Sequence, residues 1–121
     1  DGDVFGGFYS VAATRQGQQF CDTNIFIFSF ESHGRCVVPQ RFVVNEIVRG
    51  NNYVYFHKND PAGGFVIFGG LYGYFFLGNE KWDSLCNGLS LDFVGIEEDT
   101  LTGNPNGESF TCTRIVAVHL E

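Results

Sequence analysis

Apolar residues recur in short runs separated by glycine, asparagine and proline, a pattern typical of β-strands joined by turns. Some runs alternate apolar with polar or small residues, and others are apolar on both faces, as central strands are. The regions predicted as strands are 4–14, 20–30, 42–48, 53–56, 65–77, 89–96 and 108–120. No region shows a helical period with caps, so we expect at most one or two turns of helix. The pattern predicts an all-β fold of about eight strands, arranged as an antiparallel sandwich or a closed barrel.

Region 20–30 places Phe26, Phe28 and Phe30 on one face and Ile25 and Ile27 on the other. Both faces are apolar, which predicts a central strand. The chain contains 14 Phe, 5 Tyr and 1 Trp, and such large side chains usually fill a core. We therefore expect most of the aromatic residues to lie inside the fold.

The chain repeats a Gly-Gly-aromatic motif, FGGFY at 5–9 and FGGLY at 68–72. In each half two cysteines follow the motif, and then an arginine leads an apolar run. This shared order predicts a diverged internal duplication within a single domain, 1–121, with half-repeats 1–62 and 63–121.

The four cysteines are an even number in a short chain, and none forms a Cys-x-x-Cys pair. They predict a disulfide-stapled fold in an oxidising compartment, so we expect a secreted, extracellular protein. Four cysteines allow three pairings, of which the duplication favours Cys21–Cys36 and Cys86–Cys112. The chain also opens on Asp1 and contains no Met, as expected of a processed chain.

The net charge of −7 restricts the partners that the protein can bind. Nucleic-acid binding requires a basic surface, and the chain has no Lys/Arg cluster. The same deficit disfavours anionic membrane surfaces, and no apolar run reaches the ~20 residues of a membrane-spanning helix. We expect neither nucleic-acid binding nor membrane insertion.

Motifs of the common catalytic and metal sites are missing from the sequence. It has no Gly-x-Ser-x-Gly elbow, no phosphate loop and no His-x-x-x-His pair, so we expect no enzyme activity, no cofactor and no metal. The three histidines, His33, His57 and His119, are explained by surface positions. The acidic loop 97–108 leaves calcium binding open, although its spacing differs from that of an EF-hand. The oxygen-bearing residues around it are Asp92, Glu97, Glu98, Asp99, Asn104, Asn106 and Glu108.

Tyrosine and tryptophan side chains are the best candidates for a binding surface, because such rings stack on sugars and anchor protein partners. The alternative for each position is cross-strand packing on a half-buried face. The candidate binding residues are Tyr9, Tyr53, Tyr55, Tyr72, Tyr74 and Trp82.

Two short resemblances bear on function. Gly6-Gly7-Phe8-Tyr9 resembles the first-strand motif of lipocalins, with Phe8 in place of the usual Trp, and implies an eight-stranded barrel that carries a small apolar ligand. The repeated motif with its cysteines also resembles Gly-Gly-aromatic modules of secreted proteins, which implies an extracellular adhesive or structural role.

We expect a non-catalytic binding or self-assembling module whose partner is a further copy of itself, an extracellular protein or a glycan. Strand edges with few lysines are poorly protected against pairing, which favours self-assembly. The alternative is a lipocalin-like carrier whose cavity would be lined by Phe26, Phe28, Phe75 and Phe76. A small secreted hydrolase is a third hypothesis, which would need a cleft that joins a histidine to carboxylates.

Overall fold

The computed structural model describes residues 2–58, 64–78 and 83–120. The described residues form nine strands, one four-residue helix and one 3₁₀ turn at Glu46–Val48. The elements are β1 Val4–Phe8, β2 Gln19–Cys21, β3 Phe26–Glu31, β4 Gln40–Val43, β5 Tyr53–Phe56, β6 Gly64–Gly69, β7 Tyr74–Gly78, β8 Ser84–Asn87, α1 Leu89–Asp92 and β9 Ser109–Phe110. The prediction of an all-β fold is confirmed.

The strands form two antiparallel sheets. Sheet A has the order β1-β3-β4, and sheet B has the order β2-β5-β6-β7-β8-β9. Neither sheet closes on itself, so of the two predicted architectures the barrel is wrong. The sheets pack face to face: the Phe5 ring centroid in β1 lies 5.6 Å from that of Phe75 in β7.

Side chains on the facing sides of the sheets form the core. Ile27 and Phe42 come from sheet A, and Val54, Phe68 and Phe75 come from sheet B. Each of these side chains contributes about 1.5–3 kcal/mol through the apolar surface that it removes from water.

The glycine Gly7 lets β1 approach sheet B closely. A Cβ atom at Gly7 would lie only 2.7 Å from Cγ of Phe68, whose side chain is 5% exposed. The second glycine of the motif therefore belongs to the packing between the sheets.

Region 20–30 is not one strand. It divides into β2 in sheet B and β3 in sheet A, and the chain crosses between the sheets at 22–25. The buried Asp22 carboxylate holds this crossing, because it accepts the backbone N–H groups of Ser10, Val11 and Asn24. The prediction that this region contains a central strand is confirmed, because β3 lies between β1 and β4 in sheet A.

Five other predicted strands differ from the structure. Region 4–14 forms β1 only as far as Phe8, and region 65–77 divides into β6 and β7. Region 42–48 forms β4 only as far as Val43 and then the 3₁₀ turn, which Asn45 caps by accepting the N–H of Ile47. Region 89–96 holds α1, and only Phe93 bridges to Val44. Region 108–120 forms β9 alone, and residues 111–120 contain no strand. The alternating pattern therefore predicted strands in regions that have no neighbouring strand to pair with among the described residues.

The two Gly-Gly motifs occupy different places. The first lies in β1, at the edge of sheet A, and the second ends β6, inside sheet B. In each case a buried aspartate holds the turn that follows: Asp22 after β1, and Asp92 after β6, where it accepts the N–H groups of residues 71–73. The half-repeats stay a prediction.

The expected disulfide framework is not found, and all four cysteines are free thiols. Cys21 is exposed on β2, whereas Cys86 points into the core; Cys36 and Cys112 are half-buried. Burial, with the Glu98 charge nearby, raises the pKa of the Cys86 thiol to about 12. The fold is held by its core and its strand pairing.

Candidate functional site

An aromatic surface covers the outer side of sheet A. In β3 the side chains alternate, so that Ile27 and Ser29 point into the core while Phe26, Phe28 and Phe30 point away from it. Phe8 of β1 lies opposite Phe26 and joins the same side. We call these four rings, Phe8, Phe26, Phe28 and Phe30, the sheet A aromatic face.

The rings of this face pack against one another. The centroids of Phe8 and Phe26 lie 4.7 Å apart with planes 16° from parallel, and those of Phe28 and Phe30 lie 4.8 Å apart. The guanidinium carbon of Arg41 lies 5.2 Å from the Phe26 centroid, a cation–π contact. Phe8 and Phe26 are stacked and cover each other's ring faces, so the solvent meets a hydrocarbon surface beside the Arg41 cation.

Exposed valines enlarge the apolar area around these rings. Phe30 itself is 61% exposed, which is unusual for a phenylalanine in a folded protein. The exposed valines on this side of β1 and β4 are Val4 and Val43, and Val43 lies opposite Phe26. Contiguous apolar surface of this kind marks interaction sites more often than scattered apolar residues do.

Three of the candidate tyrosines meet on the outer side of sheet B. Tyr53 and Tyr74 flank Gly69 in register, and the Tyr53 ring lies over that glycine. Tyr55 follows on the same side of β5 and makes an edge contact with His57, at 4.9 Å between centroids. The three tyrosines and His57 are all half-buried. Burial raises the pKa of Tyr53, with smaller contributions from Tyr74 and Asp92.

The other candidate binding residues do not join this group. Tyr9 is 38% exposed and contacts Phe56 and Phe68, and Tyr72 is 62% exposed in the turn between β6 and β7. Trp82 lies outside the described residues. The predicted binding set is therefore divided between separate surfaces.

Sequence reasoning missed the sheet A aromatic face because it assigned most phenylalanines to the core. The pattern did show Phe26, Phe28 and Phe30 on one side of the strand. It gave no reason to turn that side outward, since the isoleucine side was equally apolar.

The residues expected to line a carrier's cavity lie on three different surfaces. Phe26 and Phe28 are on the outer side of sheet A, Phe76 is on the outer side of sheet B, and Phe75 is in the core between the sheets. They surround no common space, because the two sheets form a sandwich and not a barrel.

The acidic residues serve as acceptors for backbone N–H groups. Glu98 accepts the N–H groups of Leu89 and Ser90 and the hydroxyl of Ser90, which caps α1. Asp92, in α1, accepts three N–H groups from the turn after β6. In the part of the chain that the structure describes, no three His, Cys, Asp or Glu side chains converge as metal ligands would.

The histidines lie apart from one another. His33 Nδ1 lies 2.9 Å from Oδ1 of Asp3, which Arg35 also contacts at 2.7 Å. Burial alone would raise the pKa of Asp3, but the hydrogen bonds from His33 and Arg35 lower it below its usual range. His57 packs between Tyr55 and Phe76, and His119 is exposed in the 111–120 segment.

Among residues 2–58, 64–78 and 83–120, no helix is both long and apolar enough to cross a membrane. Comparison of the chain with protein-family models, curated proteins and solved structures finds no match. The function is therefore argued from the geometry of the two outer sheet surfaces.

Proposed function

We propose that this protein is a non-catalytic module that self-assembles through apolar β-sheet surfaces. The observation that carries the proposal is the sheet A aromatic face, whose four phenylalanine rings cover the outside of a sheet while its inner side fills the core. Water contact with such a surface is unfavourable, and covering it recovers about 25 cal/mol for each Å².

The chemistry of the face favours a protein partner over a glycan. Sugars bind where flat ring faces and hydrogen-bonding groups are both presented to them. Here Phe8 and Phe26 stack on each other, and the charged side chain that lies over a ring is Arg41. The tyrosine surface of sheet B, with its phenol hydroxyls, suits a glycan better.

Charge restricts where a second copy can bind. The chain carries a net charge of −7, so two copies repel each other over most of their surface. The sheet A aromatic face contains no acidic side chain, and the nearest acids, Asp3 and Glu31, lie at its margin. Two copies can therefore meet there with the least repulsion.

The size of the face indicates a weak contact when it acts alone. Three strands spaced ~4.8 Å apart and about five residues long span roughly 240 Å². Stable interfaces bury roughly 800 Å² on each partner. Assembly through this face therefore needs many copies or a second contact.

Sedimentation velocity over a range of protein concentrations tests the proposal. We expect the wild-type protein to self-associate and Phe30→Asp to weaken association at least tenfold, since a buried Phe ring contributes about 1.5–3 kcal/mol. Val37→Asp, at a valine that is 95% exposed, makes the same charge change as a control. A wild-type protein that stays monomeric at all concentrations contradicts self-assembly, and a glycan array then tests the tyrosine surface.

A further inference from the structure

Sheet A is too small to cover sheet B. It contains three strands against six, and several apolar side chains on the inner side of sheet B remain only half-buried. Phe110 lies against Phe5 at the start of β1, at 5.4 Å between ring centroids, and Phe56 lies against Tyr9 just past its end. These partly covered residues therefore flank β1, where a further strand would protect them.

The edge of β1 is the least protected of the four sheet edges. Within the described chain, β1 forms backbone hydrogen bonds with β3 alone, and its five residues, VFGGF, include no charge and no proline. Natural edges are usually blocked by charges, proline, shortness or covering chain.

The other three edges have such protection. The edge of β4 is covered at its end, where Val94 N–H donates to the Val43 carbonyl at 2.8 Å, and the strand carries the charged Arg41. β2 has three residues and β9 has two. An added strand therefore has one suitable acceptor, β1.

The 111–120 segment has the composition of a strand without being one. Its residues, TCTRIVAVHL, are rich in β-branched side chains and include no Gly, Pro, Asn or acid. In the structure it forms no strand, and its apolar residues face water, with Val118 73% exposed. An open groove of about 390 Å³, lined by 111–115 together with Phe65, Gly78 and Ser84, adjoins sheet B.

We propose that the 111–120 segment of one copy adds as an antiparallel strand to the free edge of β1 in a second copy, so that two copies exchange strands reciprocally. The proposal rests on the self-assembly proposed above and names the segment and the edge that accomplish it. Exchange in both directions gives a closed dimer in which both β1 edges are paired.

The direction of the chain selects a second copy over the same molecule. The segment leaves Phe110 beside Phe5, at the start of β1, so within one molecule it would run along β1 in the same direction. That pairing would be parallel, whereas every strand pair in the described sheets is antiparallel. A second copy can enter from the Phe8 end and give the antiparallel ladder, which is the more stable one.

Charge supports the same partner. The segment carries Arg114 and no acid, in a chain whose net charge is −7. The acidic body of another copy therefore attracts this segment and does not repel it. On pairing, Val116, Val118 and Leu120 would share one side of the new strand and cover the half-buried residues of sheet B.

A photo-crosslinking experiment on the full chain tests the exchange. Val118 is replaced by p-benzoylphenylalanine, isotopically heavy and light chains are mixed, and crosslinks are mapped by mass spectrometry. We expect links between heavy and light chains that end at residues 4–8. Links only within one chain, or links between chains that end elsewhere, overturn the proposal.

A pair of variants separates the exchange from the docking of aromatic faces. We expect Val118→Asp to raise the dimer dissociation constant at least tenfold and Val37→Asp to leave it unchanged, both measured by sedimentation velocity. Dimerisation that Val118→Asp leaves intact and Phe30→Asp abolishes overturns strand exchange and keeps the proposed function. Dimerisation that Phe30→Asp leaves intact and Val118→Asp abolishes supports strand exchange and shows that the aromatic face is not part of the dimer interface.

Discussion

The carboxylate of Asp22 accepts both the backbone N–H and the side-chain hydroxyl of Ser10, twelve residues earlier in the chain. This contact joins the end of β1 in sheet A to the end of β2 in sheet B. Burial would raise the pKa of Asp22, but the hydrogen bonds from Ser10, Asn24 and Val11 outweigh it and lower the pKa below 3.8. The ionised carboxylate is thus part of the connection between the sheets.

We expect Asp22→Asn to lower the free energy of unfolding at neutral pH by about 1.5–3 kcal/mol, the usual range for hydrogen bonds to a charged group. Because the folded-state pKa is depressed, the contribution is fully present above pH 3.8 and is lost as the pH falls through the lower folded value. Urea unfolding at several pH values measures it. Asp99→Asn, at an exposed aspartate, is the control, and an equal loss in both variants contradicts this role.

The two glycines of the first motif should differ in their tolerance of a side chain. A Cβ at Gly7 meets the Phe68 ring, which is enclosed between the sheets, whereas a Cβ at Gly6 meets the tip of Phe28, which can move toward solvent. We expect Gly7→Ala to cost about 1–3 kcal/mol, as overpacking does, and Gly6→Ala to cost less. Thermal unfolding of the two variants compares them.

A double-mutant cycle identifies the cause of that cost. If the clash with Phe68 is responsible, Gly7→Ala should be less harmful when Phe68 is replaced by Leu. Additive effects of Gly7→Ala and Phe68→Leu would show that the strand itself, and not the contact between the sheets, requires glycine.

The cap of α1 by Glu98 should stabilise the turn that follows β6. Glu98 binds the N–H groups of Leu89 and Ser90, and α1 carries Asp92, which in turn holds residues 71–73. We expect Glu98→Gln to cost about 0.5–2 kcal/mol, the range of helix caps. The exposed neighbour Glu97, changed to Gln, is the control in the same urea titration, and hydrogen exchange of the Leu71 and Tyr72 amides reports whether the turn loosens.

The sequence predicted the class of fold because alternation is a local signal. It placed Phe26, Phe28 and Phe30 together on one side of a strand, which the structure confirms. The sequence did not predict which side of this strand faces water, because the answer depends on whether distant residues such as Phe42 and Phe68 pack on the side that carries Ile27. The roles of Asp22 and Asp92 also escaped prediction, since each depends on backbone N–H groups 11 to 21 residues away.

The same reasoning explains the error at 108–120. Local composition makes the segment strand-like, but a strand also needs a neighbouring edge, and the described residues of one copy provide none in antiparallel orientation. Among the candidate binding residues, Tyr53, Tyr55 and Tyr74 come together because β5 and β7 both flank β6, a grouping that the sequence did not predict. Tyr9 follows β1 and lies apart from them, against Phe56 and Phe68.

The four thiols should differ strongly in reactivity. Cys21 is exposed, so an alkylating reagent reaches it in the folded protein. Cys86 is buried in the core with a pKa raised to about 12, so it should react only after unfolding. Alkylation with iodoacetamide, followed by peptide mass mapping, should modify Cys21 first and Cys86 last.

The same labelling decides between free thiols and the disulfide framework that the cysteine count predicted. Without a reductant, denatured protein from an oxidising source should take up four alkyl groups if all cysteines are free, as in the structure. Uptake of none before reduction and four after it would show two disulfides and would require Cys86 to leave its position in the core. A sample treated with reductant before denaturation is the control for complete labelling.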